Sequence, residues 1–534
     1  MTVARWLAAA VEDVRARGLE GAVPVLEAFA RSMTTLRAAE WNANAAPAPV
    51  VGGDDSPSVS PPFVDDSGTA RTAPASPPGV LDDATALDIS TASERLRTGT
   101  LTSVGLTDRC LEQIDRLGGA LNAFITVTRD EALAVARTAD AEIARGEWRG
   151  PLHGIPVSLK DLIDQRGVVT TAGSHARERV EAVGDAPVTA ALRQAGAVLV
   201  GKTNLHEFAF GTTSDESAFG PVRHPLDRER SPGGSSGGSA VAVATGMSFA
   251  SIGTDTGGSI RIPSAACGVV GLKPGLGELS CDGVVPLSHT LDHVGPLART
   301  VADATLVYRV LAGLPPRTAM PRPVGGLRIG VLREYFEDLL EPDVRAGTAG
   351  IQRRLREAGM TLVDARLPHA GDITAIYLAI VFGEAAALHG HALDTRADRY
   401  QPGVRLRLEA ARFVLAEDYL RARKGREVIR HDVDRALDRC DVLIAPTLPM
   451  EAPPIGSGSV AIDGVQHPVR NLMLRLTQPF NVSGHPAVTI PCGRTARGLP
   501  IGLQLIGRRG GTLPLLECAL ACEPMAAKAS RAGG

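Results

Sequence analysis

The sequence predicts an α/β fold, a β-sheet covered by helices, and three observations carry that prediction. After about Leu81, helical stretches such as residues 129–145 alternate with short β-rich runs such as 123–127 and 197–200, the pattern of strands gathered into one sheet under helices. Apolar residues make up 44% of the chain and charged residues 22%, an ordinary composition for a globular protein with a large core. At 534 residues the chain exceeds the usual single core, which leaves one large domain with an appendage or several smaller ones. The 56 basic and 59 acidic residues nearly cancel, at a net charge of -3. No basic stretch is interleaved with aromatics, so nucleic acid is not expected as a direct ligand.

The elements follow in chain order. Val3, Trp6, Leu7, Ala10, Val11 and Val14 share one helical face, and Gly18 ends the run. A second stripe, Ala22, Val25, Leu26, Phe29, Met33 and Leu36, makes residues 1–43 a helical hairpin with one apolar side that needs a surface to pack on. Residues 44–80, rich in Ala, Pro, Ser, Gly and Asp, read as a linker with too little apolar surface to order itself. Residues 81–534 form the main domain. Arg5 and the acid–base alternation after it break any apolar core of signal-peptide type, and the longest apolar run elsewhere, 373–383, is too short to span a bilayer. The seven cysteines are odd in number and lack a C-x-x-C spacing, which suits a reducing compartment without structural zinc. The cytoplasm is the expected location, with no membrane partner and no cofactor or metal.

Three motifs mislead. GAVLVGKT, Gly196 to Thr203, matches the phosphate-binding P-loop letter for letter. Its four intervening residues are apolar and strand-like rather than a turning loop with exposed N–H groups. Gly196 reads instead as the end of a helix, with a strand running on to Lys202. PGGSSGGSA, residues 232–240, contains G-x-S-x-G, but the charged, proline-broken HPLDRERSP before it is no central strand. His389 and His391 sit in Ala-rich helical sequence, where positions two apart do not face each other, so they do not form a metal site.

Three further segments carry chemistry: GIPVSLKDLID (154–164), SPGGSSGGSA (231–240) and SIGTDTGGSIRIPSAACGVVGLKP (251–274). In their order and spacing they resemble the amidase signature family. The likeness continues in DVLIAPTLP (441–449) and NVSGHPAVTIPCG with GLPIGLQLIG (481–507), and is weak between about 315 and 435. The resemblance implies a large mixed β-sheet with helices on both faces. It also implies hydrolysis of a carbon–nitrogen amide bond through a serine acyl-enzyme, without cofactor. It assigns Ser235 to a relay between Lys160 and Ser259, after a cis peptide following Gly234, and makes Asp255 and Arg261 an internal ion pair, with a grip of Arg261 on a substrate carboxylate as the alternative.

The chemistry can be reached from the residues as well. Acyl transfer needs an activated hydroxyl, a proton acceptor that can return the proton, and donors for the tetrahedral oxyanion. Ser259 follows Gly257 and Gly258, which permit a strained turn and close backbone approach, and the N–H groups of Thr256, Gly257, Gly258 and Ser259 are the candidate oxyanion donors. No histidine has a comparable glycine-framed setting. Lys160, ending the apolar run IPVSL, can serve as base if burial keeps its amine neutral. Asp161 beside it is expected on the opposite face, and Cys267, in PSAACGVVG, reads as a packing thiol.

Two rival functions stay open: the glutamine-hydrolysing component of a tRNA-dependent amidotransferase, which shares the triad, and a catalytically idle binding module. Where that component usually continues G-G-S-I-R with glutamine, this chain has Ile262, and HTLDHVGP (289–296) also resembles stand-alone amidases. The substrate is expected to be a small-molecule amide, with carbamates (urethanes) and esters presenting the same carbonyl. The apolar 315–435 region is expected to shape its pocket. A homodimer stays open.

Overall fold

The computed structural model describes residues 2–39, 41, 86–317 and 320–531; the linker expected at 44–80 lies outside them. Among the described residues there are thirteen strands: β1 (Phe124–Val127), β2 (Pro156–Lys160), β3 (Val198–Thr203), β4 (Ala250–Thr254), β5 (Val270–Lys273), β6 (Val294–Ala298), β7 (Arg328–Leu332), β8 (Thr361–Ala365), β9 (Val442–Pro446), β10 (Ser459–Ile462), β11 (Val465–Pro468), β12 (Ala487–Arg494) and β13 (Pro500–Ile506). Eleven of them form one mixed sheet in the order β1-β3-β2-β4-β6-β5-β12-β13-β9-β7-β8, and β10 pairs with β11 apart from it. Every residue of β2, β3, β4, β5, β6, β9 and β13 is buried. Because successive side chains point to opposite faces, helices must cover both sides of the sheet there.

At the heart of the sheet β2 runs parallel to both β3 and β4, so the carboxyl ends of these strands open on one edge. The P-loop look-alike folds as its apolar letters require. Gly196 takes φ +78° after the helix Pro187–Gln194, and the rest of the motif runs into β3.

The helix Val23–Ala38 lies against the helices Ile373–Arg396, Pro402–Ala411 and Ala416–Leu437, and the helix Val3–Ala16 packs on Val23–Ala38. Trp6 Nε1 donates to the Phe413 carbonyl at 2.7 Å, and the Phe29 ring stacks on Phe382 at 5.4 Å between centroids. Arg37 pairs with Asp418 at 2.6 Å and Arg17 with Glu409 at 2.7 Å. The apolar run at 373–383 continues as helix to Arg396, which makes it long and apolar enough to cross a membrane by length and composition alone. The expectation that it is too short fails because Glu384 does not end the helix. That carboxylate instead accepts from Thr290 Oγ1 at 2.7 Å and Tyr419 OH at 2.9 Å, and most of the helix is buried within the protein. His389 is a buried core histidine bonded to Tyr400 OH at 3.0 Å, and no group of metal-binding side chains occurs among the described residues.

Candidate active site

Lys160 is the last residue of β2 and Thr254 the last of β4. Pairing of Leu159 with Ile252 sets these ends side by side, and Lys160 Nζ donates to Thr254 Oγ1 at 2.8 Å. Its second acceptor is Ser235 Oγ, also at 2.8 Å. Ser235 stands just before the helix Gly237–Ala244. Glycines let this segment press against the sheet edge: a Cβ at Gly238 would lie 2.4 Å from the carbonyl oxygens of Ala123 and Asn204. The Gly234–Ser235 peptide is cis, and the Ser235 carbonyl accepts from His206 N at 3.1 Å and Ser214 Oγ at 3.2 Å.

The chain has five lysines, and among the described residues three of them, Lys160, Lys202 and Lys273, are wholly buried. Their partners distinguish them. Lys202, from the P-loop look-alike, forms an ion pair with Asp161 at 3.0 Å. Lys273 donates to the carbonyls of His485 at 2.6 Å and Pro274 at 3.1 Å. Lys160 alone is held by two hydroxyls, groups that can equally donate to a neutral amine. Burial pulls the Lys160 amine down to about 7, against the opposing pull of Asp255 and Asp292. Asp161 takes the other direction from its neighbour, accepting from Thr171 N at 2.9 Å as well as facing Lys202.

Ser259 lies in the turn between β4 and the helix Arg261–Cys267, and its carbonyl accepts from Ser236 N at 3.2 Å, which joins the two serine loops. Ser259 keeps 5% exposure while Ser235 and Lys160 have none, so it stands on the open side of the group. Among the described residues, no acceptor pairs with the backbone N–H of Thr256, Gly257, Gly258 or Ser259. Buried N–H groups are rarely left so, and a row of them is suited to a developing oxyanion. The two glycines are required by contact: a Cβ at Gly257 would lie 2.5 Å from Tyr377 OH, and one at Gly258, where φ is +149°, 2.2 Å from Thr477 Oγ1.

Asp255 and Arg261 are both fully buried and joined at 3.1 Å. Arg261 also donates to Asn481 Oδ1 at 2.6 Å, the Thr477 carbonyl at 2.9 Å and Gln504 Oε1 at 3.0 Å. Burial raises the Asp255 carboxyl, but Arg261 beside it prevails and holds it well below the usual carboxylate range. With its donors occupied, Arg261 is a brace beneath the turn. Asp255 Oδ2 also accepts from Ile260 N at 3.1 Å, and Ile262 packs its side chain against Gly233 and Gly258. Cys267 is buried, and its thiol is pushed up by that burial.

Three residues at the site escaped sequence reasoning. Thr254 is the second hydroxyl on Lys160. Asp292, within HTLDHVGP, accepts from Thr256 Oγ1 at 2.5 Å while gathering Leu287 N and Ser288 N at 2.9 and 3.0 Å. Tyr377, from the helix Ile373–Arg396 in the expected pocket-shaping region, approaches Gly257 where the glycine lacks a Cβ. Most of that helix's other apolar side chains, from Ile373 to Phe382, are core.

Comparison with known proteins agrees with this architecture. Residues 105–513 match the Amidase family model. A glutamyl-tRNA(Gln) amidotransferase component from Chloroflexus aggregans (strain MD-66 / DSM 9485) is 40% identical over 459 residues, which cover 79% of this chain and 93% of that protein. A crystal structure of an amidase superposes with a TM-score of 0.79 at 36% identity, over 82% of this chain and all of the other. The corresponding glutamyl-tRNA(Gln) amidotransferase component from Thermotoga maritima superposes with a TM-score of 0.67 at 33% identity, over 83% and 95%. The paired strand ends, the two serine loops and these likenesses agree: the chain belongs to the amidase family, the amidase signature enzymes.

Proposed function

We propose that this protein hydrolyses a carbon–nitrogen amide bond through an acyl-enzyme on Ser259. The observation that carries the reading is that Lys160, alone among the three buried lysines, is held by hydroxyls only. A neutral Lys160 amine accepts the proton of Ser235 Oγ, which accepts that of Ser259 Oγ as this oxygen bonds to the substrate carbonyl carbon. The N–H groups of Thr256 to Ser259 receive the oxyanion. Collapse breaks the C–N bond, and the proton returns through Ser235 to the leaving nitrogen. Water then releases the acid by the same relay. Carbamates and esters offer the same carbonyl, so the test uses a panel of anilides, aliphatic amides, carbamates and glutamine. A serine-directed fluorophosphonate is expected to label Ser259; an unlabelled, inactive chain would mean an idle binding module.

A second reading, glutamine hydrolysis within an amidotransferase complex, is favoured by the 40% identity to the Chloroflexus aggregans protein across 93% of its length. Ammonia release from glutamine by the isolated chain, compared with simple amides, separates the two. Ile262, buried where the amidotransferase component usually has glutamine, and the closer superposition on the amidase than on the Thermotoga maritima protein support the independent amidase.

A further inference from the structure

Two arginines approach the ring of Phe210, and they differ in what else they touch. The Arg407 guanidinium lies 5.8 Å from the ring centroid and is neutralised by Glu216 at 2.6 Å. The Arg470 guanidinium lies 5.7 Å from the same centroid. Among the described residues it has no carboxylate within ion-pair distance and no hydrogen-bond acceptor; its Nε is buried without a partner, as are those of Arg407 and Arg475, but theirs are guanidinia that donate through Nη2. A half-buried guanidinium is ordinarily paired, because its charge loses hydration that an anion replaces. Arg475, on the same helix Val469–Arg475, shows the ordinary outcome: it donates to the Tyr335 carbonyl at 2.9 Å and covers that ring.

The position of Arg470 gives its unspent charge a meaning. Residues four apart share one helix face, so Arg470 lies one turn from Leu474, whose Cδ2 would be 2.9 Å from a Cβ at Gly257. The hydroxyl of Tyr377 approaches that same point at 2.5 Å, makes no hydrogen bond among the described residues, and is close enough to Arg470 for each to feel the other's charge. Arg470, one turn of that helix from the Leu474 that faces Gly257, is thus a cation with no anion of its own among the described residues.

We propose that Arg470 sets substrate specificity by taking a carboxylate carried by the substrate itself, a few bonds from the scissile carbonyl. The preferred substrates are then monoamides of short dicarboxylic acids and their close relatives. This rests on the assignment of the acyl-accepting site to Ser259, and glutamine falls in the class only with an added ammonium.

The test is calorimetric binding to the full chain carrying Ser259→Ala, so that ligand is not consumed, with glutaramate and its neutral counterpart pentanamide. Glutaramate is expected to bind at least tenfold more tightly than pentanamide, with an affinity that falls as salt is added. Adding Arg470→Leu should erase that margin, and Arg470→Lys should keep part of it, with melting curves showing each variant folded. Equal binding of the two ligands, no binding of either, or glutaramate affinity unchanged by Arg470→Leu would overturn the proposal. Fluorophosphonate labelling of the native chain separately tests Ser259, so a failure there is distinguishable from a failure of the anion site.

Discussion

Lys160 and Asp161 are adjacent in sequence, yet their side chains serve separate partners: Lys160 Nζ reaches Ser235 Oγ at 2.8 Å, and Asp161 Oδ1 faces Lys202 Nζ at 3.0 Å. The lysine proposed as base is thereby spared a carboxylate that would hold its proton.

The first expected outcome follows from that separation. Below about 7 the Lys160 amine is protonated and cannot accept from Ser235, so kcat/KM should rise with pH through a limb near neutrality and level off above it. The limb belongs to the coupled group rather than to one residue. Lys160→Ala should lower kcat by about 10²–10⁴-fold, and Lys160→Arg should not restore it, because guanidinium stays charged. Near-normal turnover by the arginine variant would refute a neutral base.

Ser259 and Ser235 should separate by mass spectrometry of a trapped intermediate. Ser259→Ala is expected to lose the adduct altogether, while Ser235→Ala retains slow acylation. An adduct on Ser235 with Ser259 bare would reverse the roles. Gly258→Ala should disable the site with both serines intact, since its Cβ would sit 2.2 Å from Thr477 Oγ1.

Arg261→Met leaves the Asp255 carboxylate buried without its cation, a change that typically costs about 3–5 kcal/mol. A marked fall in melting temperature is expected, with activity lost as a consequence. A variant that melts like the parent would show that Arg261 does not brace the turn.

Removal of residues 1–43 uncovers Phe382 and leaves Asp418 and Glu409 without their arginines from the hairpin. Thermal stability should fall, and Phe29→Ala alone should cost about 3–5 kcal/mol. An unchanged melting temperature together with an unchanged mass in solution would argue against docking.

The parts of the site that sequence revealed are those written in short contiguous words. Gly257, Gly258 and Ser259 announce a tight turn, and IPVSLK announces a buried strand ending in an amine. Thr254 was silent, because a threonine in a strand becomes a lysine partner only through the register of β2 on β4. Tyr377 and Arg470 were hidden for a related reason: each lies on a helix distant in sequence, and only tertiary packing brings Tyr377, and the Leu474 one turn from Arg470, to Gly257. The membrane-length helix was hidden because the apolar run stops at Glu384, whose hydroxyl partners come from elsewhere in the chain.

The hairpin's contacts also bear on how the chain is made. Trp6 and the Phe413 carbonyl it binds are 407 residues apart, so at roughly 5–20 residues per second the hairpin leaves the ribosome about 20–80 s before its seat exists. During that interval its apolar stripe has no native surface to cover it. Nascent chains of this protein should therefore engage chaperones early, and slowing translation between the hairpin and residue 413 should lower the soluble yield of the full chain more than that of a chain lacking residues 1–43.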